Sequence, residues 1–304
     1  VQQRTVLHAN SIKLFGKLFS FKKRSPYDTP VRAMTRTATS HLDDWPVQAL
    51  AATLDLKFAA ALPSLELPPL WHWLYFLRTP SRSQMNVDGH PLDTDLVDPA
   101  DPRRRMFASA RIHFEKPLLL GVPAFMTESI IATRDTEGAS GAIRIVTFQY
   151  EYVQRDQLCI REQRDIVYLQ VSGQPTQRKS IASGLTATPM LLDITPDPVL
   201  LMRFSALTFN AHRIHYDQHY AQHHEGYPER VVHGPLVAIL LAELLRANVV
   251  GRLKRFEFRA QRPLFVNQPI RLAGNPQAGS QSDQIMLEAQ DVSGVVAMQA
   301  TAWV

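Results

Sequence analysis

F-S-A-L-T-F-N-A-H-R-I-H-Y-D (Phe204–Asp217) leads through a histidine-rich passage into V-V-H-G-P-L (Val231–Leu236) and then V-A-I-L-L-A-E-L-L (Val237–Leu245). Pro235 opens an apolar run with no breaker before Gly251. Proline fits the first turn of a helix because its missing N–H would be unpaired there anyway. The free N–H groups at such a helix start form a site for developing negative charge. Chemistry is therefore expected between His215 and Gly234.

Working outward, the 304 residues suffice for two ordinary domains, and an apolar content of 45% supports a substantial core. No apolar run is long enough to cross a membrane. Cys159 is the only cysteine, which excludes an intrachain disulfide framework and an all-cysteine metal site. The net charge is +5, but residues 1–40 alone carry +7, from eight Lys and Arg against Asp28, so the remaining 264 residues carry −2. A body this close to neutral gives no argument for a nucleic-acid partner.

Val1 to Thr39 reads as an amphipathic arm, a transit-like segment, or an over-long start ahead of Met34. Asp43 or Asp44 is placed to cap a helix from Trp45 to about Ala60. L-P-P-L-W-H-W-L-Y-F-L (Leu67–Leu77) is almost wholly apolar and should be buried. Thr79 to Arg105 is polar and long for a structureless connection, so it is expected to cover or line something. Ser109–Lys116, Ala124–Thr136, Ala142–Arg155 and Leu158–Val171 alternate and are rich in Val, Ile, Tyr and Phe, which predicts antiparallel strands joined by tight turns.

After the helix from Pro235 to about Ala247, Leu253–Arg262, Gln268–Asn275, Gln284–Gln290 and Val295–Trp303 again read as strands. Each half is helical first and then a run of about four strands. The predicted division is a basic extension over 1–40, a first half over 41–172, a linker over 173–198 and a second half over 199–304. Two antiparallel sheets wrapping their helices give an α+β fold.

His215 has the side chain suited to proton transfer near neutrality. Asn210 cannot exchange a proton, but its amide can hold a water or polarise a carbonyl. Gly234 lets a ligand approach the backbone, so its N–H can face an oxygen that becomes negative; the simpler alternative is a turn glycine before a helix. Tyr216, Tyr220 and Tyr227 are placed to wall a pocket, and His233 adjoins it. His212, His215, His219, His223, His224, His233 and Glu225 also invite a metal reading, but His-Glu-x-x-His is absent and Arg213 sits between two of the histidines. No metal and no cofactor is therefore expected. The dinucleotide, phosphate-loop and nucleophile-elbow motifs are absent too.

These residues resemble a known family. Phe204–Asp217 is similar to the hydratase motif of the MaoC-like (R)-specific enoyl-CoA hydratases and dehydratases, and V-V-H-G-P-L to the start of their central helix. P-P-L-W-H-W-L-Y-F-L, D-G-H-P, R-R-M-F, R-D-I-V-Y and F-R-A-Q-R-P-L-F bring it closer to the double-hot-dog branch, with hydroxyacyl-thioester dehydratases, mesaconyl-C4-CoA hydratases and itaconyl-CoA hydratases. The resemblance covers about Asp43 to Val304. It implies a double hot-dog, with His215 as the catalytic histidine, Asn210 where the broader family has an aspartate, and the Gly234 N–H on the thioester carbonyl. In the first half Asp55 falls near the Asn210 position and Ala60 where His215 would be, so no second centre is expected there.

The implied reaction adds water to an unsaturated acyl-CoA, or removes it. The first reading is hydration of a C5 dicarboxylyl-CoA to citramalyl-CoA, the second dehydration of 3-hydroxyacyl thioesters, and the third a hot-dog protein that only binds thioesters. Arg213 either grips a substrate carboxylate or faces coenzyme phosphates or an internal carboxylate such as Asp217. The expected partner is an acyl-CoA, with no membrane and a possible homodimer. The expected location is the cytoplasm, or the mitochondrial matrix if the basic N-terminus is a transit peptide.

Overall fold

The computed structural model describes residues 35–56, 65–92, 103–138, 141–170, 182–185, 189–276 and 284–304. Ten strands dominate it. In the first half they are β1 (Thr35–His41), β2 (Arg103–Phe114), β3 (Pro123–Gly138), β4 (Gly141–Gln154) and β5 (Gln157–Gln170). In the second half they are β6 (Met190–Ile194), β7 (Arg255–Ala260), β8 (Ile270–Pro276), β9 (Gln284–Gln290) and β10 (Val296–Trp303). The helices are α1 (Trp45–Thr53), α2 (Pro198–Leu207), α3 (Gln218–His223) and α4 (Gly234–Asn248).

All strands pair antiparallel in the order β1-β3-β4-β5-β2-β7-β10-β9-β8-β6. Counted from its outer edge, each half has its own strands in the order first, third, fourth, fifth, second. The α+β double hot-dog is thus two copies of one topology, made continuous by the β2/β7 pair. That pair is centred on Arg111 opposite Glu257.

The hydrogen bonds repeat as well. Leu67 N–H donates to the Leu118 carbonyl at 2.8 Å, and Val232 N–H to the Leu264 carbonyl at 2.8 Å. The bridge Glu66/Leu119 likewise matches Val231/Phe265. E-K-P-L-L-L-G-V-P (Glu115–Pro123) and Q-R-P-L-F-V-N-Q-P (Gln261–Pro269) are the visible trace of this repeat. Gly121 (φ 72°) and Asn267 (φ 60°) hold the same left-handed place in it, a conformation that glycine and asparagine adopt most readily.

The halves differ where a central helix belongs. In the second half α4 is 15 residues long and Leu236 to Leu245 are all buried, packed on β6, β8, β9 and β10. In the first half the equivalent place begins Pro68-Pro69 and continues as a single 3-10 turn, Trp71–Leu74, with all four side chains buried. Trp71 docks on α4 itself, its indole N–H donating to Glu243 Oε1 at 2.9 Å. Beneath it Glu162, fully buried, accepts from Trp73 Nε1 and His72 Nε2, both at 3.0 Å, and from Arg164 Nε at 2.6 Å. Burial pushes the Glu162 carboxyl up, but Arg164 and His72 outweigh it and hold the group at about 2.

Several boundaries differ from those read in the sequence. Thr35–His41 belongs to the sheet as β1, and Met190–Ile194, inside the expected linker, is β6. The helix from Trp45 stops at Thr53 rather than near Ala60, because Asp55 turns left-handed at φ 54°. Asp44 stands at its N-cap position, but its side chain caps no backbone N–H and accepts from Gln48 at 2.8 Å instead. Residues 1–34 and, within the expected linker, residues 173–181 and 186–188 lie outside the described residues.

Candidate active site

α2 ends at Leu207, and Phe209, left-handed at φ 49°, throws the chain into the loop that carries the motif. His215 closes a short 3-10 turn, Arg213–His215, and is buried. Its Nδ1 lies 2.7 Å from the Val231 carbonyl oxygen. A carbonyl only accepts, so Nδ1 carries the hydrogen and Nε2 of the neutral ring keeps its lone pair. Burial pushes the His215 pKa down to about 4, against the Val231 hydrogen bond and with a further push from His90. At neutral pH the ring is an uncharged base.

His233 stacks on it, ring centres 3.6 Å apart and planes 19° apart. His233 Nε2 is 2.8 Å from Ser205 Oγ, its Nδ1 is buried without a hydrogen-bond partner, and burial holds its pKa well below the ordinary value. The residue is the N-cap of α4, yet its side chain makes no capping bond. The next residue, Gly234, is thus the first of a 15-residue helix with an uncapped N-terminus. A Cβ built on Gly234 would meet nothing closer than the Phe107 carbonyl at 4.0 Å. Packing does not demand glycine there, whereas access to its N–H would.

Asn210 is half-buried, and its Oδ1 accepts from His212 N–H at 3.0 Å, an Asx turn that shapes the loop. Arg213 is committed to protein groups. Its guanidinium donates to Asp217 at 2.7 and 3.0 Å and to the Val87 carbonyl at 3.2 Å, and lies 4.2 Å over the Tyr220 ring. Of the two roles open for Arg213, this geometry matches the internal carboxylate. Tyr220 is buried and Tyr216 half exposed. His219 and His223 stack on each other at 4.3 Å on the exposed side of α3.

Asp88 and His90, to which the sequence reading gave no role, gather here beside His212. Asp88, His90 and His212 bring one carboxylate and two imidazoles to within 4.8 Å of one another. The spacing would suit a divalent cation, but Asp88 already accepts from the His90 backbone N–H at 2.8 Å and lies 3.2 Å from His90 Nδ1. The Arg105 charge also acts on both Asp88 and His212. The set is therefore a hydrogen-bonded pair stacked on a ring, in a place already supplied with a cation. The sequence sign of Asp88 and His90 was D-G-H-P, inside a passage expected to cover something.

The place related to this site by the internal two-fold has a different character. The hydrogen bonds described above put Pro68 and Pro69 where the second half has His233 and Gly234. Neither proline has an N–H to offer. The Asn210 position is likewise taken by Leu56, not Asp55: Leu56 N–H donates to Ala51 O at 2.8 Å as Asn210 N–H does to Ser205 O at 2.9 Å. Ala60 lies outside the described residues. A cavity of about 340 Å³ occupies this place, between Pro68, Pro69, Phe114, Leu118 and Leu253.

Two fused hot-dog units, one long central helix and a histidine loop at its uncapped start define a double-hot-dog protein of the MaoC-like class. The chain belongs to the hydroxyacyl-thioester dehydratase type 2 family, whose model matches residues 70–266, and is an enzyme of the hydro-lyase type. It is 46% identical over 258 residues to the mesaconyl-C(4)-CoA hydratase of Chloroflexus aurantiacus, covering 83% of this chain and 89% of that one. It is 29% identical to the mitochondrial hydroxyacyl-thioester dehydratase type 2 of Schizosaccharomyces pombe, over 80% of this chain and 85% of that one. Among solved structures, a MaoC-like dehydratase from Phytophthora capsici aligns with a TM-score of 0.67 at 13% identity, over 90% of this chain and 95% of that one. A Mycobacterium tuberculosis protein described as a double hotdog aligns at 0.55 and 14% identity, over 90% and 95%. Those two likenesses bear on the fold.

Proposed function

We propose that this hydro-lyase adds water to a branched C5 dicarboxylyl-CoA to give citramalyl-CoA, across the α,β-double bond of mesaconyl-C4-CoA, or of itaconyl-CoA once its β,γ-double bond has moved into conjugation with the thioester. The observation that carries the chemistry is His215, buried and neutral with its Nε2 lone pair available, beside the uncapped start of α4 at Gly234. The thioester carbonyl draws electrons from the conjugated double bond, so water attacks the β-carbon while charge collects on the thioester oxygen. His215 takes the water proton, and the Gly234 N–H with the helix dipole stabilises the oxygen. Asn210 holds the loop through its Oδ1, which leaves its NH₂ to orient the water. Tyr216, Tyr220 and His233 wall the site.

Identity of 46% to an enzyme named for mesaconyl-C4-CoA supports the substrate. Arg213 supports the loop, so the free carboxylate of the substrate is met by another cation. The first half, 41–172, holds no second centre in this reading, since Pro68, Pro69 and Leu56 stand in the key places. Itaconate catabolism in a cytoplasm fits the substrate. The second reading, 3-hydroxyacyl-thioester dehydration, draws on the family description and the fission-yeast relative.

The test is kcat/KM for mesaconyl-C4-CoA and itaconyl-CoA against C4 to C10 monocarboxylic enoyl-CoAs, in the parent and in Arg213→Ala. The dicarboxylyl substrates are expected to lead by tenfold or more, and Arg213→Ala to lose equally on all. A parent that prefers the C8 or C10 substrate overturns the dicarboxylate reading. An Arg213→Ala that loses only on dicarboxylyl substrates returns Arg213 to the carboxylate.

A further inference from the structure

The base His215 has to carry a positive charge in surroundings that oppose one. As the water oxygen bonds to the β-carbon, the water proton goes to Nε2 and the ring becomes an imidazolium, with hydrogen on both nitrogens. Burial, which already lowers its pKa, disfavours that charge. So does the start of α4, whose dipole is positive at the end that meets the thioester oxygen. Where a catalytic histidine takes up a proton, a carboxylate on the far ring nitrogen commonly balances the charge. His215 has none among the described residues: its Nδ1 hydrogen bond is to the Val231 carbonyl, and the charge that acts on it, from His90, is of the same sign.

What lies against the ring instead is the face of His233, with centres 3.6 Å apart and planes 19° from parallel. His212 stands edge-on to His215 at 5.4 Å and 90°, and the His90 ring is 3.9 Å from that of His212. The four imidazoles form a row drawn from both halves, in which His215 and His233 are the closest pair.

Two consecutive residues of α2 clamp His233. Ser205 Oγ lies 2.8 Å from its Nε2, and the Phe204 ring meets it edge-on at 5.0 Å. The clamp also fixes its charge. Ser205 serves one ring nitrogen, and Nδ1 is buried with no hydrogen-bond partner among the described residues, so a second N–H on His233 would be left unpaired. Two charged rings would also stack at 3.6 Å. His233 therefore stays neutral while His215 is charged, in line with burial holding its pKa well below the ordinary value. The first half lacks this device: Pro68 stands at the His233 position, and Ala51, the mate of Ser205, has no hydroxyl.

We propose that His233 is the positioning residue of His215: a ring kept neutral, whose π face meets the positive charge that His215 carries between taking the water proton and giving it up. A cation is drawn to an aromatic face, most strongly where water is excluded. Val231 holds the base in its own plane and His233 holds it across that plane, with Ser205 keeping the two faces parallel. This rests on the hydratase reading above and adds no atom or proton to that reaction, since the proton that reaches Nε2 leaves it again before the next turnover.

The experiment measures kcat and KM for mesaconyl-C4-CoA hydration near neutral pH, with thermal melts as the control for folding. The enzymes are the parent, Ser205→Ala, His215→Ala and two doubles, His233→Phe/Ser205→Ala and His233→Leu/Ser205→Ala. Both doubles lose the buried hydrogen bond and leave no hydroxyl unpaired, so they differ in whether an aromatic face lies on His215. The phenylalanine double is expected to keep kcat within about fivefold of Ser205→Ala, because the face is retained. The leucine double is expected to fall about thirtyfold below the phenylalanine double in kcat, the worth of a desolvated cation–π contact. Because the charge exists only after proton transfer, its KM should stay within about twofold. Equal kcat in the two doubles overturns the proposal, and so does a leucine double whose loss lies in KM. Should the leucine double not fold, His233→Met/Ser205→Ala takes its place with the same outcomes. Doubles of equal kcat beside an inactive His215→Ala sink this proposal and leave the hydratase reading standing; a parent inactive on every thioester sinks both.

Discussion

Gly234 is the residue at which one atom separates the two halves, because the first half has Pro69 in its place. His233 before it is extended, at φ −60° and ψ 126°, the conformation that a residue preceding proline favours. Proline also suits the first turn of a helix. Gly234→Pro should therefore fold, with a melting temperature within a few degrees of the parent, while removing the N–H assigned to the thioester oxygen. Loss of one such donor costs roughly 10²–10³ in kcat, and steady-state kinetics at saturating substrate will show it. His215→Ala should lose about 10²–10⁴. Because burial lowers His215 to about 4, the acid limb of the parent's kcat/KM profile should fall near that pH and not near 6.5. The candidates His215, Asn210 and Gly234 could be picked out in the sequence because they are close along the chain, with one loop and one helix start between them. Asp88 and His90 could not, since packing of the first half's loop on Ala211 brings them in across more than a hundred residues.

At the scale of elements, the long strands were legible because alternation persists over β2 to β5 and over β7 to β10. The edge strands were not. β1 and β6 each pair on one side only, and M-L-L-D-I has the burial pattern buried, three exposed, intermediate, which leaves no period of two to detect. The Pro-Pro turn was read as buried, but its role as the stand-in for a helix appears only once its hydrogen bonds are set beside those of His233 and Gly234. What holds that turn in place is Glu162, with Trp73, His72 and Arg164 around it. Glu162→Gln removes the charge and leaves Arg164 facing a neutral amide, a loss on the order of 3 kcal/mol, measurable by urea unfolding at pH 7. The sign with pH follows from the lowered carboxyl. Its contribution is complete above the unfolded value near 4.5 and disappears as pH falls toward about 2, so parent and variant should converge in stability across that window.

At the scale of the whole molecule, the repeat raises the question of whether the halves unfold separately. Most of the β-pairing lies within a half, and the β2/β7 pair is the only strand pairing between halves among the described residues. That pair is nonetheless the centre of the core: Ile112 and Phe256 lie opposite each other, both fully buried. Trp71 of the first half is tied to Glu243 of α4, and the histidine row takes His90 from one half and the rest from the other. Neither half can separate without exposing these side chains together, since each β2 or β7 edge would also lose its ladder. The chain should therefore melt in one calorimetric transition whose van't Hoff and calorimetric enthalpies agree. Phe256→Ala, which empties the centre of the seam, should cost about 3–5 kcal/mol and lower that single transition as a whole. Two resolved transitions in the parent, or a Phe256→Ala thermogram in which only one of two peaks moves, would show the halves to be independent domains and the seam to be a mere contact.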